Sequence, residues 1–191
     1  RNHSSAASDV YKRQPKHLQE FIDAIIINAG DGAHEHPTQA ILDMVSLHEK
    51  FNRLKGLNIG IVGDIAHSRV ALSNIYGLTT MGAKVMLCGP PNLIPKHMVD
   101  LNVDSSSNID EIIEWADALI ILRIQKERMG LTLVPSKREY RATFGITKER
   151  MEKHKKEIVI MHPGPMNRGV EIDGFVADSD QAIIPVSYTH L

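Results

Sequence analysis

Asn58-Ile59-Gly60-Ile61-Val62-Gly63-Asp64 is a short apolar run that breaks at a glycine, and its reading decides the fold. A run of this length, closed by a turn signal, predicts a buried strand. A helix over about Ser68–Met81 follows, with Val70, Leu72, Ile75, Leu78 and Met81 apolar and Gly82 as its stop. Lys84–Cys88 predicts the next strand, ended by Gly89-Pro90-Pro91. The alternation continues with a short helix around Lys96–Asp100, a weak strand at Asn102-Val103, and an amphipathic helix over Asn108–Ala116. Asp117–Leu122 is a continuous apolar strand, Thr147–Lys155 a helix capped by Thr147, and Glu157–Met161 the last clear strand. Strands that alternate with helices predict a mostly parallel α/β sheet covered by helices on both faces.

A second strand–loop–helix unit precedes this one. Lys16–Ala24 predicts a short helix and Ile25–Asn28 a short buried strand. Asn28-Ala29-Gly30-Asp31-Gly32-Ala33-His34-Glu35-His36-Pro37-Thr38-Gln39 then forms a glycine-bearing loop into a helix over Thr38–Phe51. Ile41, Met44, Val45, His48 and Phe51 mark its expected apolar side, with a stop near Lys55-Gly56. Pro37 suits a first helical turn, where a missing N–H costs nothing. His36 and Gln39 fall on about one side of the positive end of that helix, a place suited to an anionic or carbonyl-bearing ligand. A cap or surface role for His36 is equally ordinary. His34, Glu35 and His36 point in different directions, and no further ligands at metal spacing accompany them, so no metal site is expected.

The bulk properties narrow the function classes. The 191 residues are 42% hydrophobic and 24% charged, ordinary for a globular protein. A formal net charge of −1 and 5% aromatics argue against a nucleic-acid platform. No apolar run approaches the roughly 20 residues that span a bilayer. Cys88 stands alone, which excludes an internal disulfide and fits a reducing, cytoplasmic setting.

Ligands of parallel sheets collect at the carboxyl ends of strands. Three polar segments follow predicted strands: Asp64–Arg69, Arg123–Arg128 and His162–Arg168. Arg69 can hold a carboxylate bidentately or form a surface ion pair. Arg123 and Gln125 share a side if the chain stays extended, and together offer planar donors to a second carboxylate. His162-Pro163-Gly164-Pro165 is a stiff loop, with its X–Pro bonds candidates for the cis form. Gly63–Arg69 lacks the Gly-x-Gly-x-x-Gly fingerprint of a dinucleotide site. Cations, an imidazole and amides without a side-chain nucleophile can bind anions, polarise a carbonyl and stabilise an oxyanion.

These motifs, in this order, resemble the catalytic chain of the aspartate carbamoyltransferase family: Asn28–Gly32 with His36-Pro37-Thr38-Gln39, Gly63-Asp64 with Ser68-Arg69, Leu122–Arg128, and Met161–Pro165 with Asn167–Ile172. The resemblance spans about residues 15–184. It implies carbamoyl transfer from carbamoyl phosphate to L-aspartate, in pyrimidine biosynthesis, without a metal or organic cofactor. It implies that His36 and Gln39 contact the carbamoyl group, with His36 polarising its oxygen. Arg69, Arg123 and Gln125 would hold the aspartate carboxylates, and the backbone at Gly164 and Pro165 would contact the carbamoyl amino group and the attacking amine. A homotrimer of the full-length chain is implied, with a regulatory chain or a dihydroorotase as further partners of the family.

The resemblance also implies a division of the chain. Residues 15–52 would be a remnant of the carbamoyl phosphate domain with its linking helix, and 53–184 a Rossmann-like aspartate-binding domain. Residues 1–14 and 185–191 resemble translated cloning or adapter sequence and are expected to be foreign or disordered. The family's Ser-Thr-Arg-Thr-Arg phosphate motif and its final helices are absent, so the chain is expected to be a fragment with little activity alone. Ornithine carbamoyltransferase is the nearest alternative, but Thr38 and the His162–Pro165 loop both favour aspartate. A non-catalytic domain of the same fold is the other.

Overall fold

The computed structural model describes residues 17–31, 34–95, 103–124, 136–154 and 157–184. Six strands form one sheet: β1 (Asn58–Val62), β2 (Lys84–Cys88), β3 (Asp104–Ser106), β4 (Ala118–Ile121), β5 (Val159–Met161) and β6 (Ala182–Ile183). Every pairing is parallel, and the spatial order is β3-β2-β1-β4-β5-β6. The order reverses between β1 and β4, the point at which doubly wound sheets open a crevice for ligands.

The helices are α1 (Pro37–Phe51), α2 (Arg69–Thr80), α3 (Ile109–Trp115), α4 (Lys137–Phe144), α5 (Lys148–His154) and the single turn α6 (Gly174–Ala177). Strand residues alternate between two cores, as the two-residue period of a strand requires. Ile59, Ile61, Ala118, Ile120, Val159 and Met161 pack with Leu47 of α1 and Ile75 and Leu78 of α2. Val62, Leu119, Ile121 and Ile160 pack with Ile112 and Ile113 of α3, Tyr140 and Phe144 of α4, and Val176 of α6. Each fully buried Ile or Leu contributes roughly 1.5–3 kcal/mol relative to exposure. Close helix approach depends on two glycines. A Cβ on Gly60 would lie 2.6 Å from Ile112 Cγ2, and one on Gly77 would lie 2.9 Å from Met44 Cε.

Local signals place the helix starts. Ser68 caps α2 by accepting from the Ala71 N–H, Asn108 caps α3 through the Asp110 N–H, and Thr147 accepts from the Arg150 N–H at the start of α5. Pro37 occupies the first turn of α1.

Several sequence expectations are corrected. Ile25–Asn28 belongs to no strand of the sheet, and Ile25 and Ile27 are 96% and 75% exposed. An apolar run becomes a strand only where a neighbouring strand takes its backbone hydrogen bonds, and among the described residues none lies beside it. His17–Phe21 is a single helical turn rather than a helix reaching Ala24. α1 buries Gln39, Ala40, Leu42, Asp43 and Leu47, whereas Ile41 and Val45 are exposed. Its stop is Asn52, in the left-handed region at φ 54°, ahead of Gly56. The third strand begins at Asp104, just beyond the expected Asn102-Val103. β6, α4 and α6 were unforeseen. The Lys96–Asp100 helix, Gln125 and both chain ends lie outside the described residues.

Candidate active site

The carboxyl edge of the sheet gathers the predicted site segments. Gly63 ends β1 at φ 131°, and a Cβ there would lie 3.0 Å from Leu122 Cβ, so the chain leaving β1 runs against the chain leaving β4. α2 begins six residues later at Arg69, and Arg123 follows Leu122, half-buried. Both cations therefore stand at the point where the strand order reverses.

The loop before α1 meets Arg69. Asn28 Oδ1 accepts from the Gly30 N–H at 2.9 Å, and the Asp31 N–H donates to the Glu35 carbonyl at 2.8 Å, which together close the loop. Gly30, at φ 134°, leaves room that the Arg69 guanidinium fills, since a Cβ there would lie 2.9 Å from Nη1. His36 caps the backbone of α1, and its own N–H donates to Ser73 Oγ of α2 at 2.9 Å. Its imidazole is half-buried, with Nδ1 3.4 Å from Thr38 Oγ1. Burial first, and then the Arg69 charge, lower the His36 pKa. The ring is thus held neutral near pH 7, and a neutral imidazole can donate one N–H to a carbonyl oxygen.

Gln39 is buried, and its Nε2 donates to Asp43 Oδ1 at 2.9 Å. Asp43 Oδ2 accepts from Asn74 Nδ2 of α2 at 2.7 Å. Burial pushes the Asp43 carboxyl up to about 6 against the pull of these two donors.

The third segment is the loop after β5. His162 is fully buried, and its Nδ1 accepts from the Gly164 N–H at 2.9 Å. The Gly164–Pro165 peptide is cis. Asn167 ties this loop to β4: its Nδ2 donates to the Ile124 carbonyl at 2.9 Å, while its N–H donates to Glu171 Oε1. Glu171 is itself buried and lies 3.5 Å from His162 Nε2. Gly164 and Pro165 are thereby fastened beside the backbone that carries Arg123. Arg168 is not part of this arrangement. It forms a bidentate pair with Asp178 at 2.6 and 2.7 Å, on the exposed surface.

The structure therefore brings His36 to Arg69, and the Gly164-Pro165 loop to the Arg123 segment, along one edge. Sequence reasoning missed the supports: Ser73, Asn74, Asp43, Asn167 and Glu171. The spacing of Gln39, Asp43 and Leu47, four residues apart on a helix, was the one signal that marked the buried side of α1. A 660 Å³ cavity lined by Phe51, Met151, Val159 and Phe175 opens at the amino end of β5 instead, and no predicted site residue lines it. No helix among the described residues is long and apolar enough to cross a membrane.

Comparison with known proteins bears on this edge. Residues 55–187 match the family model described as aspartate/ornithine carbamoyltransferase, Asp/Orn binding domain, and residues 1–49 match its carbamoyl-P binding domain. The aspartate carbamoyltransferase catalytic subunit of Christiangramia forsetii is 56% identical over 167 residues, 87% of this chain and 54% of that protein. The subunit of Halothermothrix orenii is 50% identical over 173 residues, 91% of this chain and 55% of its own length. The chain thus spans about half the length of the curated relatives it matches. Among solved structures, the catalytic subunit of the aspartate transcarbamoylase of M. jannaschii superposes with a TM-score of 0.73 at 32% identity, over 89% of this chain and 56% of that one. The Trypanosoma cruzi enzyme in complex with carbamoyl phosphate gives 0.78 at 26% identity, over 90% and 57%.

Proposed function

The chain belongs to the aspartate/ornithine carbamoyltransferase family, and we propose that it carries the amino-acid-binding half of an enzyme that transfers a carbamoyl group to L-aspartate. The reaction joins carbamoyl phosphate and L-aspartate to give N-carbamoyl-L-aspartate and phosphate, a step of pyrimidine biosynthesis. The observation that carries the reading is the contact of the His36 loop with Arg69 at the carboxyl edge, where the strand order reverses.

The chemistry follows from what these groups can do. The α-amine of aspartate attacks the carbamoyl carbon, the C–O bond to phosphate breaks, and the amine loses a proton as phosphate departs. Charge develops on the carbamoyl oxygen as the tetrahedral species forms. A ring N–H of neutral His36, on a backbone that its own N–H anchors to Ser73 Oγ, would stabilise that oxygen. Gln39 contacts the carbamoyl group from the same helix start. Arg69 and Arg123, with Gln125, bind the two carboxylates and so fix the direction of attack. The backbone at Gly164 and Pro165 accepts from the carbamoyl amino group and the incoming amine.

In this reading residues 15–52 belong to the carbamoyl phosphate domain and 53–184 form the aspartate domain. The full-length chain would assemble as a homotrimer, with a regulatory chain or a dihydroorotase as further partners. The buried lone Cys88 supports a reducing, cytoplasmic setting.

The test is an assay of the full-length protein carrying this segment, with carbamoyl phosphate and either L-aspartate or L-ornithine. Carbamoyl aspartate as the product supports the reading, and citrulline would assign the ornithine reaction instead. Binding of succinate beside a carbamoyl phosphate analogue, with no product from either amino acid, would mark a non-catalytic domain.

A further inference from the structure

A chain of contacts joins the backbone that carries Arg123 to the loop that carries Gly164. Arg123 stands between Leu122 and Ile124, each 1% exposed, so burial on either side holds its backbone. Asn167 Nδ2 donates to the Ile124 carbonyl at 2.9 Å. The Asn167 N–H donates to Glu171 Oε1, and that oxygen lies 3.5 Å from His162 Nε2. On the far side of the ring, His162 Nδ1 accepts from the Gly164 N–H at 2.9 Å. A backbone N–H only donates, so a neutral His162 carries its proton on Nε2, toward the Glu171 carboxylate. Both side chains are fully buried, and neither can trade this arrangement for water without opening the core. The loop and the Arg123 segment are therefore held at one spacing, and Asn167 is the side chain that crosses between them.

We propose that Asn167 is a positioning residue that sets the length of the amino acid the site accepts. This rests on the reading of Arg123 as a carboxylate contact and of the loop backbone as the contact of the amine, with Arg123 taking the side-chain carboxylate. A four-carbon dicarboxylic amino acid spans a fixed distance between those two groups. L-Glutamate is one methylene longer, so its fit requires the Arg123 segment and the loop to move apart. That movement breaks the Asn167–Ile124 hydrogen bond, and the strength of the bond becomes part of the cost of admitting the longer molecule. Sites held rigidly in this way tell apart ligands that differ by one methylene by about 10- to 200-fold.

The experiment uses the full-length protein at saturating carbamoyl phosphate, with L-glutamate as a competitor of L-aspartate. The quantity read is the inhibition constant of L-glutamate divided by the KM of L-aspartate. Neither constant depends on how much of the preparation is folded, so a merely structural defect leaves the ratio where it was. The ratio falls about fivefold in Asn167→Ala, the factor that one net hydrogen bond is worth. Asn167→Ser, whose hydroxyl stops one bond short of the Asn167 amide nitrogen, gives the same fall and serves if the alanine variant does not fold. Arg168→Ala removes the exposed pair with Asp178 from the same loop and keeps the wild-type ratio. An unchanged ratio in the Asn167 variants, or an equal fall in Arg168→Ala, overturns the proposal. A wild-type protein that forms no carbamoyl aspartate would overturn the functional reading instead, and that control separates the two failures.

Discussion

Replacing Asp43 with Asn should change how stability depends on pH, and the size of the change follows from its burial. The folded-state pKa is about 6, against 3.8 for an ordinary Asp. Desolvation is the dominant cause, with the Asn74 and Gln39 hydrogen bonds opposing it. A carboxyl whose pKa is raised by folding holds its proton more tightly in the folded state. Stability from this group therefore grows as pH falls through about 6, is complete below 3.8, and is lost as pH rises through 6. The difference of about 2 units corresponds to roughly 3 kcal/mol, of which about 2 kcal/mol is realised between pH 7 and pH 4. An Asn at position 43 cannot titrate. The stability of the wild type minus that of the variant should rise by about 2 kcal/mol on acidification from pH 7 to pH 4. In thermal melts this is a relative shift of roughly 4–8 °C for a domain of this size. The other carboxylates titrate alike in both proteins and cancel in the difference. A difference that stays flat across this range, or narrows toward pH 4, would refute the account of Asp43 as a desolvated carboxyl.

Leu47→Ala removes a fully buried side chain that joins α1 to the sheet, and urea unfolding should show a loss of about 2–5 kcal/mol. Arg123→Ala in the full-length protein should raise the KM for aspartate far more than that for carbamoyl phosphate, because it removes a charge-assisted pair with a carboxylate; steady-state kinetics with each substrate varied in turn reads this directly. His36→Ala should lower kcat roughly 100- to 1000-fold, the usual cost of one preorganised donor to a developing oxyanion, with the circular dichroism spectrum unchanged.

The parts of this fold that could be read from the sequence share one property. β1, β2, β4 and β5 are apolar runs with helices on both sides, and a strand buried on both faces writes its position into composition alone. Ile25-Ile26-Ile27 has the same composition and a different fate, with Ile25 and Ile27 exposed, because an apolar run records a need for burial and says nothing of what supplies it. α1 misled for a related reason. It carries two apolar stripes, and the one through Ile41 and Val45 faces outward while Gln39 and Asp43 face in. A polar residue is assigned to the surface by default. Only the partner Asn74, 31 positions away, shows why Asp43 is buried. β3 and β6 are three and two residues long at the two edges of the sheet, too short for any period to register. The candidate site divides in the same way. His36, Arg69 and Arg123 could be read as reactive side chains after strands or at helix starts, whereas Ser73, Asn167 and Glu171 act through contacts that exist only once distant segments meet.

The two helix starts at this edge concentrate positive charge. α1 and α2 both begin here, and neither has an acidic residue in its first turn, so the partial positive charge of each helix start is not neutralised by its own sequence. Arg69 is the first residue of α2, where a cation opposes the helix dipole and weakens the helix that carries it. Its charge also lowers the His36 pKa, which keeps a second cation from forming beside it. Adjacent residues of α2 then brace this crowded positive corner: Ser73 holds the His36 backbone, and Asn74 holds Asp43. A guanidinium on one helix start, set beside a second helix start, concentrates positive charge at this corner. Such a corner suits an anion with several oxygens.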